Sequence, residues 1–96
     1  MQETRHQPLF SLGQVVATPA ALAALEKAGQ APQEFLSRHI RGEWGDVCEE
    51  DRRENEFSVE RGFRLLSSYR TNAEAQLFVI TEADRSVTTI LLQDEY

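Results

Sequence analysis

The order of apolar and polar residues follows a helical period through the middle of the chain and an alternating period in its last third. Ahead of the first helix, residues 9–17, "LFSLGQVVA", predict a strand or an extended segment. The following run, "TPAALAALEKAG", predicts a complete helix. Thr18 suits its N-cap, Pro19 suits its first turn and Gly29 suits its C-terminal cap. Leu22 is expected on the buried face of this helix.

Two further helices are predicted before the period changes. The run "APQEFLSRHIRG" predicts a short helix that ends at Gly42. The run "DVCEEDRRENEFSVERG" predicts a third helix, which ends at Gly62. Asp46 and Glu49 have the spacing of a capping box, so the third helix is expected to begin next to Asp46.

Three alternating runs, "FRLLSSYR", "AQLFVIT" and "SVTTILL", predict strands joined by connections short enough for hairpins. The predicted fold is therefore α+β: an N-terminal strand or extended segment, three short helices and a three-stranded antiparallel meander. Residues 9–96 are expected to form a single domain, and residues 1–8 a flexible tail. The last strand, ending at Gln93, is a candidate sheet edge and a possible contact for a structural or regulatory homodimer.

Composition predicts a location in the bacterial cytoplasm. The chain has 96 residues and one cysteine, which excludes an internal disulfide and fits a reducing compartment. No apolar run approaches the roughly 20 residues that span a bilayer, and the N-terminus lacks the apolar stretch of a secretory signal.

Charge is the most unusual property of the sequence. The net charge is −6, and residues 43–60 account for all of it, with eight acidic residues and two arginines. A localised negative field attracts basic protein surfaces and repels nucleic acid. We therefore expect a basic protein partner, no direct nucleic-acid contact and no membrane contact. The candidate partner-binding residues are Glu43, Trp44, Asp46, Glu49, Glu50, Asp51, Glu54 and Glu56. The alternative is a solvated helix face without a partner.

The helical period continued from Trp44 places Asp51 and Asn55 on the stripe that should face the core. Trp44 itself is expected to fill the junction of the second and third helices. A buried carboxylate needs a partner, and an arginine of the sheet would supply one. The candidates are Arg64, Arg70 and Arg85. Alternatively, the stripe lines a groove.

Metal and cofactor sites are not predicted. Cys48 and His39 have no recognised zinc-ligand spacing, and the acidic residues lack the pattern of a calcium loop. Cys48 is expected to be a small buried residue on the face of the third helix rather than a nucleophile.

A ribonuclease is the enzymatic alternative. Helices followed by a small antiparallel sheet resemble the architecture of the barnase, colicin and RelE-like ribonucleases. A histidine can serve as general acid or base, and an arginine can stabilise a phosphorane. The residues available for this chemistry are His39, Arg64, Arg70, Thr81 and Thr89. The absence of a basic excess argues against this alternative, and we expect no catalytic activity.

Four runs carry a closer resemblance: "SLGQVVATPAALAALE", "FLSRHIRGEWGDVCEEDRRENE", "GFRLLSSYRT" and "VITEADRSVTTILLQDEY". Together they resemble a family of small bacterial proteins carried on plasmids and integrative elements, usually described as hypothetical plasmid-related proteins. Some members carry the label of a type I restriction modification subunit, which a chain of this size cannot be. The chain departs from the family pattern in "LLQDEY", where a proline is expected, and near Phe78, where a tryptophan is expected.

The resemblance implies a setting and no mechanism. Mobile elements encode small acidic proteins that block host defences by occupying nucleic-acid-binding surfaces. With the acidic stretch, the resemblance predicts an inhibitor of a host defence nucleoprotein complex, of the anti-CRISPR or anti-restriction type.

Overall fold

The computed structural model describes residues 7–96, so most of the predicted tail lies outside the described residues. Over these residues the chain has the predicted α+β fold, with three helices and four strands. In chain order, the elements are β1 (Gln14–Ala17), α1 (Pro19–Ala28), α2 (Pro32–His39), α3 (Glu49–Arg61), β2 (Leu65–Arg70), β3 (Gln76–Thr81), β4 (Val87–Leu92) and a 3-10 turn (Gln93–Glu95).

The four strands form one mixed sheet in the order β1-β4-β3-β2. The meander of β2, β3 and β4 is antiparallel as predicted, but β1 extends it by pairing in parallel with β4. Gln14 lies opposite Val87 in this pairing. The expectation that the last strand is an exposed edge is therefore wrong. Strand β4 is interior, and β1 and β2 form the edges.

One face of the sheet packs against α1 and α2 to form the main core. The core residues are Ala21, Leu25, Phe35, Leu36, Tyr69, Leu77, Val79 and Ile90. Leu22 is 48% exposed, contrary to the prediction, because α1 turns Ala21 and Leu25 toward the core. Burial raises the pKa of Tyr69 to about 12, and its hydroxyl donates a hydrogen bond of 2.6 Å to the Glu43 carbonyl.

Helix α3 starts two residues later than predicted, with Cys48 rather than Asp46 at its N-cap, because the preceding segment pairs with the edge of β2. The Asp46 amide donates to the Ser68 carbonyl at 2.6 Å, and the Ser68 amide donates to the Trp44 carbonyl at 3.0 Å. Held in this way, Asp46 does not cap the helix. Cys48 takes the N-cap position, makes no side-chain capping bond and is exposed, so the prediction that it is buried is wrong.

Gly45 makes this pairing possible. Its φ of +79° is a conformation that L side chains rarely adopt, and an added Cβ would lie 2.0 Å from the Ser68 carbonyl oxygen. The neighbouring Trp44 is only 3% exposed and stacks on Phe10 with ring centroids 6.3 Å apart. Trp44 is thus buried in the connection between α2 and α3, as the sequence predicted.

Candidate functional site

Six of the eight predicted partner-binding residues are exposed and form what we call the acidic surface. They are Glu43, Asp46, Glu49, Glu50, Asp51 and Glu54. The other two turn inward and bond to each other, because the Trp44 Nε1–H donates to the Glu56 carboxylate at 3.0 Å. In this conformation Trp44 supports the acidic surface from below and presents almost none of its ring to a partner.

Part of the acidic surface is neutralised by nearby arginines. Glu43 lies 3.6 Å from Arg38 and 3.4 Å from Arg41. Glu49 pairs with Arg52 at 2.6 Å, and the hydrogen bond from Arg52 is the main cause that lowers the pKa of Glu49. These exposed ion pairs contribute little to stability, but they reduce the negative charge that Glu43 and Glu49 present.

Three acids of α3 have no arginine partner within the described residues. Glu50, Asp51 and Glu54 form no ion pair with any residue from 7 to 96. The dipole of α3 accounts for Glu50 and Asp51, which lie in its first turn. Glu54 lies beyond that turn and one helical repeat after Glu50, where like charges cost about 0.2–0.5 kcal/mol. The stability of the helix therefore does not explain why position 54 is a glutamate.

An aromatic pair continues the stripe of Glu50 and Glu54 along α3. Phe57 follows Glu54 on the same helix face and is 50% exposed. Its ring stacks on Phe63, which is 52% exposed, with centroids 5.9 Å apart. We call these two residues the Phe57–Phe63 pair. Exposed aromatic rings beside charged residues are typical of protein interfaces. The sequence analysis missed this pair, although a phenylalanine on an acidic helix stripe was a visible signal.

The predicted inward stripe of α3 is correct for Asn55 and wrong for Asp51. Asn55 is buried, its Nδ2 donates to the Leu66 carbonyl at 2.7 Å, and its Oδ1 accepts from the Leu66 amide at 3.1 Å. Asp51 is exposed and needs no buried arginine partner. The two also border a groove whose other walls include Leu66 and Tyr96.

The centre of the ribonuclease alternative is a buried hydrogen-bond chain. His39 Nδ1 lies 2.5 Å from the Ser67 hydroxyl, and Nε2 lies 2.9 Å from the Thr81 hydroxyl. Thr81 and Thr88 hydroxyls lie 2.7 Å apart, and Thr88 donates to the Leu12 carbonyl at 2.8 Å. Thr88 therefore accepts from Thr81, and Thr81 accepts from His39. This direction assigns the proton to Nε2 and makes Nδ1 an acceptor from Ser67.

Burial lowers the pKa of His39 to about 3, with a smaller contribution from the Arg85 charge. The imidazole is neutral and fully enclosed, whereas a general acid or base must reach its substrate. Of the other candidates, Thr81 is buried with His39, Thr89 lies on the opposite face of the sheet, and Arg64 and Arg70 are exposed. The structure brings together only His39 and Thr81, and their contact serves the core.

No protein-family model, curated protein or solved structure matches this chain. Within residues 7–96, no helix has the length and apolar character to cross a membrane. In the same range, no three metal-ligating side chains are grouped. The fold and the surface define a small α+β protein in which an acidic helix flanks one edge of a mixed sheet.

Proposed function

We propose that this protein acts by binding a basic surface of another protein, and that it does so without catalysing a reaction. The acidic surface and the Phe57–Phe63 pair form the proposed contact. The observation that carries the proposal is the stripe of Glu50, Glu54 and Phe57 on α3, where uncompensated charge meets a half-exposed aromatic ring.

The two parts of the surface have different roles in association. Carboxylates steer a basic partner toward the site and accelerate encounter in a salt-dependent way. Aromatic residues at the centre of an interface often account for 2 kcal/mol or more of binding free energy when they are truncated to alanine. The charges therefore control the rate and specificity of binding, and the Phe57–Phe63 pair controls the lifetime of the complex.

The specific form of the proposal is an inhibitor encoded by a mobile element. The resemblance to plasmid and integrative-element proteins supports this setting. The partner would be a host defence nucleoprotein complex, such as a CRISPR effector or a restriction enzyme. In that complex, the carboxylates of α3 would occupy a basic groove in place of nucleic-acid phosphates.

The test compares binding by the intact protein with binding by a neutralised variant, Glu50→Gln/Asp51→Asn/Glu54→Gln. Each protein is immobilised, partners are captured from a bacterial lysate, and the captured complex is assayed for nucleic-acid binding. We expect the intact protein to capture a nucleoprotein complex and to displace its nucleic acid. The neutralised variant should lose both effects while keeping its circular dichroism spectrum, because the three side chains are exposed.

The matched control is Glu26→Gln/Glu34→Gln/Asp94→Asn, which removes the same charge from exposed acids outside α3 that form no ion pair within residues 7–96. Capture should survive in this control. The proposal is wrong if the neutralised variant and the control capture the same proteins to the same extent. Phe57→Ser adds a separate test, because it leaves every charge in place and should shorten the lifetime of the complex.

A further inference from the structure

Within the described residues, the outer side of β1 is an open sheet edge. The Gln14 amide donates to the Ser86 carbonyl at 2.9 Å, and the Thr18 amide donates to the Ile90 carbonyl at 3.0 Å. Even-numbered residues of β1 therefore direct their main-chain groups toward β4, and odd-numbered residues direct theirs outward. The amides and carbonyls of Val15 and Ala17 accordingly point away from the sheet, where residues 7–96 offer them no hydrogen-bond partner.

This edge also lacks the usual protection against strand pairing. The segment Gln14–Ala17 contains no charged residue and no proline. Val15 and Val16 point to opposite faces of the sheet, and each is 40% exposed. Short length is the one protective feature, since the strand has four residues. An exposed β-branched edge of this kind is suited to pair with another strand.

The distribution of charge allows a second copy of this chain to approach β1. The excess negative charge belongs to residues 43–60, whose helix α3 contacts β2, at the other end of the sheet. Three strand spacings, about 14 Å, separate β1 from β2, which exceeds the Debye length of about 8 Å in physiological salt. Two copies of this acidic chain repel each other over α3, whereas the four residues of β1 carry no charge; the acid bonded beside the strand is Glu95, which accepts from the Thr18 hydroxyl at 2.7 Å. A basic partner would find no carboxylate on this strand.

We propose that two copies of this chain associate through β1, which pairs with β1 of the second copy in antiparallel orientation. A strand edge is self-complementary about a twofold axis, so the contact closes after two copies. The outward groups fix the register. Val15 and Ala17 of one copy would exchange hydrogen bonds with Ala17 and Val15 of the other, and Val16 would lie opposite Val16 on the axis.

The resulting sheet has eight strands, with an acidic surface near each far end. Four residues bury less area than the roughly 1,200 Å² of a standard interface, so the dimer is weak and reversible. This inference goes beyond the proposed function and does not depend on it, because β1 and the acidic surface have no residue in common.

Cysteine cross-linking tests the register. Both variants carry Cys48→Ser, since Cys48 is exposed and would cross-link by itself. Val16→Cys places two thiols opposite each other in a non-hydrogen-bonded pair, the close geometry that suits a disulfide. Val15→Cys is the matched control, because Val15 is equally exposed but would face Ala17 of the second copy. We expect Val16→Cys to form the disulfide dimer at least about tenfold faster than Val15→Cys.

A second measurement keeps the inference testable if a cysteine variant is poorly folded. Light scattering of the unmodified full chain should show a mass that rises from one toward two copies with concentration. Val16→Lys, which places like charges together on the axis, should shift that rise to at least about tenfold higher concentration. Equal cross-linking rates for the two cysteine variants, or a mass that stays at one copy up to millimolar protein, would overturn the inference. A mass that stays at one copy would mean that β1 pairs with a strand of a different protein or with no strand.

Discussion

At the β2 edge, the outward main-chain groups of Leu66 and Ser68 are bonded, Leu66 to the Asn55 side chain and Ser68 to the segment 44–46. At the β1 edge, those of Val15 have no hydrogen-bond partner within residues 7–96. The difference shows how a polar helix protects a sheet. Helix α3 has little apolar surface to bury. It contacts β2 through the side-chain amide of Asn55, which donates and accepts hydrogen bonds as the backbone of a neighbouring strand would.

The two edges are also connected through the protein interior. The hydrogen-bond chain of His39 runs from Ser67 on β2, through Thr81 on β3 and Thr88 on β4, to the Leu12 carbonyl just before β1. It crosses the sheet on the face that carries the core. A change at His39 is therefore expected to loosen both edges, whereas a change at either edge should remain local.

The largest expected effect concerns His39 and acidity. Its pKa is about 3 in the folded protein against an ordinary value of 6.5, so the unfolded chain binds the proton first as the pH falls. The contribution of neutral His39 is complete above pH 6.5 and is lost progressively toward pH 3, up to about 5 kcal/mol. Urea unfolding between pH 7.5 and 5 should show the first part of this loss, about 2 kcal/mol, before the carboxyl groups titrate.

The comparison variant is His39→Asn, which cannot titrate in this window. It should be less stable than the unmodified protein at pH 7.5, because the core loses packing and hydrogen bonds. Its stability should change much less between pH 7.5 and 5. Equal slopes in the two proteins would show that His39 does not cause the pH dependence.

The next largest effect is expected when the hydrogen bonds that protect the β2 edge are removed. Asn55→Ala removes both hydrogen bonds to Leu66 and should lower the free energy of unfolding by about 2 kcal/mol, since the main-chain groups lose their partner. The amide of Leu66 should exchange its hydrogen faster with solvent. Glu54→Ala on the exposed face is the control and should change stability by less than about 0.5 kcal/mol. A loss no larger than that in Asn55→Ala would mean that the edge is held by other contacts.

The smallest effect concerns stability at the open edge. Val15→Thr keeps the branched shape and changes a side chain that is already 40% exposed. We expect the free energy of unfolding to change by less than about 0.5 kcal/mol, measured by urea unfolding at low protein concentration. A loss of more than 1 kcal/mol would indicate that Val15 is covered in solution, and it would remove the contrast between the two edges.

Local signals in the sequence predicted the parts of the fold that depend on neighbouring residues. Thr18 and Gly29 cap α1 as expected, since a cap needs only the adjacent turn. The capping signal at Asp46 was overridden by a hydrogen bond to Ser68, which lies far along the chain. Gln14 and Val87, which pair in the sheet, are also far apart along the chain. A local pattern therefore could not predict that β4 lies in the interior of the sheet.

The candidate surface divides in the same way. The acidic residues were visible in the composition, and their exposure follows from their charge. The inward turn of Glu56 depends on its contact with Trp44, and the Phe57–Phe63 pair depends on the chain reversal after α3. To predict contacts of this kind, one must know the path of the backbone, which the spacing of residues in the sequence does not give.

The direction of the hydrogen-bond chain makes His39 a built-in spectroscopic probe. Its Nε2 proton is held against the Thr81 hydroxyl inside the core, out of reach of solvent. A ring proton in this position should give a separate, slowly exchanging imidazole resonance in nuclear magnetic resonance spectra. The lifetime of that single signal would report how often the whole molecule opens.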